Sequence, residues 1–157
     1  MESRIQELKD HYKLEKHPEG GWFNECYSSS ASLSERAFAG SIYFLLEKDE
    51  ISHFHQIDCE EIWYYHEGCG MNITVITDDG QKELLLGSDI TIGEEVMVAI
   101  PKGAIFAAEN LDSNSYTFVS CMTTPKFSYN GFKLIGKKEL RALYPGVSDD
   151  TLRLAYD

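Results

Sequence analysis

Basic residues are scarce in this chain. It carries 14 Lys and Arg against 26 Asp and Glu, a formal net charge of −12 over 157 residues. So acidic a chain repels phosphate backbones and anionic lipids, which argues against nucleic-acid and membrane binding. Long apolar runs are missing too, and none approaches the roughly 20 residues that a membrane-spanning helix needs. The opening stretch MESRIQELKDHY is polar and charged and has no apolar signal core, so the sequence predicts a cytoplasmic protein. No internal repeat, linker or low-complexity segment interrupts the chain. The four cysteines, Cys26, Cys59, Cys69 and Cys121, form no C-x-x-C pair, which excludes a zinc ribbon or thioredoxin motif. They read as small buried hydrophobes with reduced thiols; Cys59 lies in a turn beside candidate site residues.

What is present points to one domain spanning 1–157 with a substantial core, because 43% of the residues are hydrophobic. Ile5, Leu8 and Tyr12 repeat at helical spacing behind a Ser3–Gln6 capping-box pattern, so the chain opens with an amphipathic helix. Pro18, Gly20 and Gly21 stop helical structure. Short apolar or alternating segments follow at 22–27, 41–46, 62–66, 71–76, 81–86, 96–100 and 116–122, with turn signals between them. Many short strands at even spacing predict a β-sandwich or barrel, and Asp79-Gly80 predicts a hairpin. Residues 137–144 return to helical spacing, Pro145-Gly146 ends them, and Ser148 caps a last helical stretch bearing Leu152 and Leu154.

The most informative stretch is SHFHQIDCEEIWYYHEG, residues 52–68. His53 and His55 stand two apart, so in an extended strand both point to one face. Glu61, Trp63 and Tyr65 line one face of the next strand, which ends at Gly68. Two imidazoles and a carboxylate at a bend suit a metal site of two histidines and one carboxylate. The ligands would be His53, His55 and Glu61, and the ion Fe, Mn, Ni or Zn. They equally suit a metal-free acid–base site in which Glu61 orients His55. Trp63, Tyr65 and Phe106 read either as a ligand-stacking wall or as core. Glu19 reads as a residue of the cavity rim or as part of a rigid turn. Arg36 reads as an anchor for a ligand anion or as a surface ion pair. His11 and His66 have no partner at useful spacing.

His53-x-His55, Glu61 and Gly68 resemble the first signature of the cupin superfamily. Gly93, Pro101-Lys102-Gly103, Phe106 and Asn110 resemble the second. Three departures stand out: no glycine stands six positions before His53, His55 to Glu61 is one residue longer than the common spacing, and Phe106 takes the place of the histidine of metal-binding cupins. His17-Pro18-Glu19-Gly20-Gly21, Arg36 with Ile42–Leu46, Glu61-Ile62-Trp63, Pro101–Ala108 and Thr124–Phe127 resemble one uncharacterised cupin branch. That HPEGG/EIW branch is similar in fold to dTDP-4-dehydrorhamnose 3,5-epimerases. The resemblance implies an all-β cupin jelly-roll barrel with an N-terminal helix and a short C-terminal helical tail. It implies a homodimer joined by an edge strand, with residues 22–27 as the candidate, and a pocket bounded by His55, Glu61, Trp63, Tyr65 and Phe106. In such epimerases a His–acid pair removes a proton beside a ketone and a Tyr donates one opposite; Tyr43, Tyr65 and Tyr129 are the candidates here. Three expectations follow: an isomerase or epimerase of a sugar-like carbonyl compound, a non-catalytic metabolite-binding module, or a metal-dependent cupin enzyme.

Overall fold

The alternating segments fold as strands and the chain's two ends as helices in the computed structural model, which describes residues 1–157. The elements run α1 (Glu2–Tyr12), β1 (Glu15–Lys16), β2 (Trp22–Ser28), β3 (Ser32–Leu33), β4 (Arg36–Ala37), β5 (Gly40–Glu47), β6 (Ile51–Ile57) and β7 (Glu60–Gly68). They continue as β8 (Met71–Thr77), β9 (Gly80–Leu86), β10 (Met97–Ile100), β11 (Ile105–Asn110), β12 (Tyr116–Thr124), β13 (Phe132–Leu134), α2 (Lys137–Leu143) and α3 (Asp149–Leu152). One sheet has the order β1-β2-β5-β12-β7-β10 and faces a second, β13-β6-β11-β8-β9. Sequence neighbours such as β5 and β6 lie in different sheets, as in a jelly roll.

Alternation along each strand sorts side chains into three apolar layers. Phe44, Leu46, Trp63, Ile73, Phe106 and Val119 point inward and fill the space between the sheets. Phe54, Ile76, Ile105 and Ala107 point the other way and are covered by Leu140, Leu152 and Leu154 of the C-terminal segment. Leu45 and Phe118 point outward from the first sheet and are covered by Ile5 and Leu8 of α1. Burying each such helix side chain stabilises by roughly 1.5–3 kcal/mol, which holds an 11-residue helix too short to persist alone.

The capping box does not form. α1 starts two residues earlier than that pattern places it, with Met1 at the N-cap and no side-chain cap bond, so packing rather than capping fixes this helix. Ser148 does cap α3, accepting from the Thr151 N–H. The β8–β9 hairpin forms with Thr77 opposite Gly80, so its two-residue loop is Asp78-Asp79 and Gly80 opens the return strand at φ +110°.

Candidate active site

The turn between β1 and β2 sinks onto the barrel. His17 N–H donates to Gly21 O at 2.9 Å and Gly20 N–H to His17 O at 3.1 Å. Gly20 has φ +110°, and a Cβ there would lie 2.0 Å from Ile51 O. At Gly21, φ is +82° and a Cβ would lie 2.6 Å from the Phe44 ring. Only glycine allows this approach, and the approach carries Glu19 into the interior.

Strand β6 receives it. The β6–β11 register pairs Phe106 with His55 and Ala108 with Ser52, so His53 and Phe54 together oppose Ala107. This bulge puts Ser52 and His55 on the inner face, three positions apart, and turns His53 away. Glu19 is then bound from four sides. Its Oε1 accepts from Ser52 Oγ at 2.9 Å, and its Oε2 lies 3.0 Å from His55 Nε2. Its carbonyl accepts from both the backbone N–H and the Nδ1–H of His53, each at 2.8 Å. Its own N–H donates to His17 Nδ1 at 3.2 Å.

These contacts fix the tautomers. His55 Nδ1 can only donate to the carbonyl of His53, at 2.7 Å, which leaves the Nε2 lone pair facing Glu19. Burial pushes His55 down to about 3, against the pull of its backbone hydrogen bond, and the charge of His17 adds to the fall. Burial pushes Glu19 well above the carboxylate range, the nearby Glu61 adds to the rise, and Ser52 opposes it. Neutral imidazole and neutral carboxyl then share one proton between Oε2 and Nε2. Burial lowers His17 to about 4. It raises Glu61 to about 7, opposed by the indole of Trp63 and the thiol of Cys121.

His17, Glu19, His55 and Glu61 wall a cavity of about 400 Å³, with Lys126 and Tyr129 toward its mouth. Phe23, Ile42, Ile57 and Phe127 supply apolar walls. Thr123 Oγ1 lines it without a hydrogen-bond partner. The only cation in the wall is engaged: Lys126 Nζ lies 3.0 Å from Glu25 Oε2 and 3.1 Å from Ser28 Oγ.

The predicted site residues separate into those inside and those outside. His55, Glu61 and Glu19 face the cavity, but Glu19 rather than Glu61 meets the His55 imidazole. His53 does not; its ring stacks on Tyr156 at 3.7 Å, outside. Trp63 and Phe106 are wholly buried between the sheets and are core rather than wall, with Phe106 packed 4.1 Å from the His55 ring. Tyr65 packs against that core and donates to Gly68 O at 2.7 Å. Tyr43 faces outward under α1, 4.4 Å from Tyr12, because its neighbour Phe44 takes the inward place. Of the three candidate tyrosines, Tyr129 lines the cavity. Arg36 forms a two-pronged pair with Asp58, at 2.8 and 3.0 Å, and donates to Lys126 O. It holds the β6–β7 turn against the cavity mouth rather than reaching a ligand. His17, Cys121, Thr123 and Lys126 were not anticipated; the paired glycines of the HPEGG turn were the available signal, since they mark a close backbone approach.

The predicted metal set is not assembled. His53 points away, both nitrogens of His55 are engaged, and Phe106 fills the fourth place. No three His, Cys, Asp or Glu side chains converge in a geometry that would hold an ion. The donors present therefore do not fit the ion that metal-binding cupins carry.

Two facing sheets around one cavity define a jelly-roll barrel. Residues 6–135 match the family described as Cupin superfamily (DUF985), and the chain belongs to it. A solved protein from Shewanella oneidensis is 32% identical with a TM-score of 0.91, covering 97% of this chain and 96% of its own. A hypothetical protein from Leishmania major is 28% identical with a TM-score of 0.89, covering 97% and 98%. An uncharacterized Saccharomyces cerevisiae protein is 27% identical over 161 residues, 90% of this chain and 80% of that one. More distantly, Bacillus subtilis oxalate decarboxylase, which has Mn(II) centres, shares the fold at 18% identity and a TM-score of 0.57. That match covers 90% of this chain and 37% of the decarboxylase. No helix here is long and apolar enough to cross a membrane.

Proposed function

We propose that this cupin is a metal-free isomerase or epimerase acting on a small, uncharged, sugar-like carbonyl compound. The observation that carries the reading is the Glu19–His55 pair, 3.0 Å apart in the cavity wall, with both groups driven neutral by burial. Glu61 ionises before the pair, and as a carboxylate in a poorly solvated place it is a strong local base that removes a proton from the carbon beside the carbonyl. The electron pair of the broken C–H bond moves into an enediol as the Glu19–His55 pair donates its shared proton to the carbonyl oxygen. A proton returned to the same carbon from the opposite side inverts it, and one returned to the neighbouring carbon isomerises the sugar; in either case an enediol O–H gives its proton back to the pair as the new carbonyl forms. Tyr129, which lines the cavity, is the candidate donor on the opposite side.

Charge supports an uncharged substrate. Glu15, Glu19, Glu25 and Glu61 border the cavity, and the single lysine is already paired. A phosphate or nucleotide would meet carboxylates with no free cation to answer it. The resemblance to the HPEGG/EIW branch and to 3,5-epimerases supports the acid–base reading, while this charge pattern separates the substrate from a nucleotide sugar.

The test is deuterium exchange. In D2O, NMR of a panel of free aldoses and ketoses should show solvent deuterium entering beside the carbonyl. Glu19→Gln and His55→Asn should slow that exchange at least 100-fold while both proteins stay folded. Compounds that shift the melting temperature but never exchange would instead mark a metabolite-binding module.

A further inference from the structure

We propose that His53 and Tyr156 form a latch that positions Glu19 for the site from the opposite side of β6. His53 is the histidine that the bulge expels from the interior, yet it is tied to the pair inside. Its backbone N–H and its Nδ1–H both end on the Glu19 carbonyl, each at 2.8 Å. Its ring lies flat on Tyr156, with centroids 3.7 Å apart and planes at 15°. The Tyr156 hydroxyl donates to Pro18 O at 3.2 Å, one residue before Glu19. Two consecutive carbonyls of the turn are thus held by a stacked His–Tyr couple.

The Tyr156 backbone is itself anchored. Leu154 O accepts from Phe54 N–H at 3.0 Å, and Tyr156 O accepts from Lys137 N–H at 2.8 Å. Leu154 and Ala155 are buried against the outer face of β6 through Phe54. The segment 149–157 therefore clamps the bulge and the turn at once. Lys16, Asp49 and Glu50 also border this groove, and Lys16 pairs with Glu50. The two glycines add no stiffness of their own, so the latch supplements the bonds within the turn, and a swing of about 1 Å at Glu19 would open the contact with His55. His53 and Tyr156 touch no cavity surface, so they are positioning residues that act through Glu19.

The inference rests on Glu19 being half of the reacting pair, but its test reads the pair's geometry rather than turnover. The readout is the pH titration of the His55 ring by NMR, assigned by its absence in His55→Asn. Glu19, Glu61 and His17 are the ionisable groups around that ring, and all three are left intact. In the parent, burial should keep His55 neutral below pH 5. Tyr156→Ala should let the turn swing and admit water, bringing His55 toward the ordinary range near 6.5. Tyr156→Phe keeps the stack and loses only the bond to Pro18, so its shift should be smaller but resolved. Leu152→Ala, in the same segment but away from the turn, should lower the melting temperature and leave the titration in place. The proposal falls if His55 titrates as in the parent in both Tyr156 variants, or if Leu152→Ala moves it as far as Tyr156→Ala. If Tyr156→Ala does not fold, an unmoved titration in Tyr156→Phe is sufficient to overturn it. Failure of the sugar panel to exchange would count against the enzymatic reading and leave this result standing.

Discussion

At the scale of single residues, His17, Glu19, His55 and Glu61 share the cavity wall, and burial drives each toward its neutral form. Their effects on stability have opposite signs. His17 and His55 are lowered, so their contribution is complete above about pH 6.5 and is lost as pH falls toward 4 and 3. Glu61 is raised to about 7, so its contribution is complete below the ordinary carboxylate range and is lost as pH rises through 7. Glu19 follows the same direction to higher pH. Above pH 6.5 only the carboxyls change charge, and stability should decline toward pH 8. Glu61→Gln should remove part of that decline. Urea unfolding at pH 5 and pH 8 should show the variant losing about 2–3 kcal/mol less than the parent between the two. Phe106 tests a second residue-scale point. It is fully buried against His55 and Trp63, so Phe106→His places an unpaired polar ring in the core. That change should cost about 3 kcal/mol by thermal or urea unfolding. Titration with Ni(II) should show no gain in affinity, because His53 stays outside.

At the scale of elements, the site is made by two local irregularities. A bulge in β6 separates His53 from His55, and a two-glycine turn delivers Glu19. Strict alternation predicts both histidines on one face; a single extra residue in the strand reverses one of them. The turn should be correspondingly intolerant of change. Gly20→Ala should destabilise the protein by about 2–4 kcal/mol, since its Cβ would meet Ile51 O at 2.0 Å and its φ is +110°. Urea unfolding measures the cost, and the rise of the His55 titration toward its ordinary range reports whether Glu19 has been displaced. Elements with a periodic pattern were legible: β2, β5, β7, β8, β9, β10 and β12 each lie within a residue or two of the segments read from alternation. The two-residue pieces β1, β3 and β4 were not, because a stretch that short carries no period.

At the scale of the whole molecule, we propose a homodimer formed through β2. Its outer edge is covered by β1 only at Trp22 and Phe23, and 25–28 are exposed. An uncovered edge with apolar Tyr27, 55% exposed, invites pairing with a second copy. Sedimentation at micromolar concentration should give twice the 17.8 kDa chain mass, and Tyr27→Lys should return it to the chain mass. A dimer that survives Tyr27→Lys but separates with Met97→Lys would place the interface on β10 instead, where Val96 and Met97 are also exposed.

The sequence by itself determined a strand-rich sandwich or barrel, the helices at its ends, and the placing of Glu61, Trp63 and Tyr65 on one inward face. These follow from local periodicity and turn chemistry, which neighbouring residues encode together, while the cupin fold followed from the resemblance to two signature motifs. It also singled out His55. The tertiary structure alone decided that His55 meets Glu19, that His53 leaves the interior, and that Trp63 and Phe106 are core. Glu19 and His55 are 36 positions apart, and their contact needs a sunken turn, a bulge one residue long and a covering segment from the far end of the chain. A one-residue change of register reverses a side chain without altering any local pattern, so only the packed sheets could settle which face each histidine took.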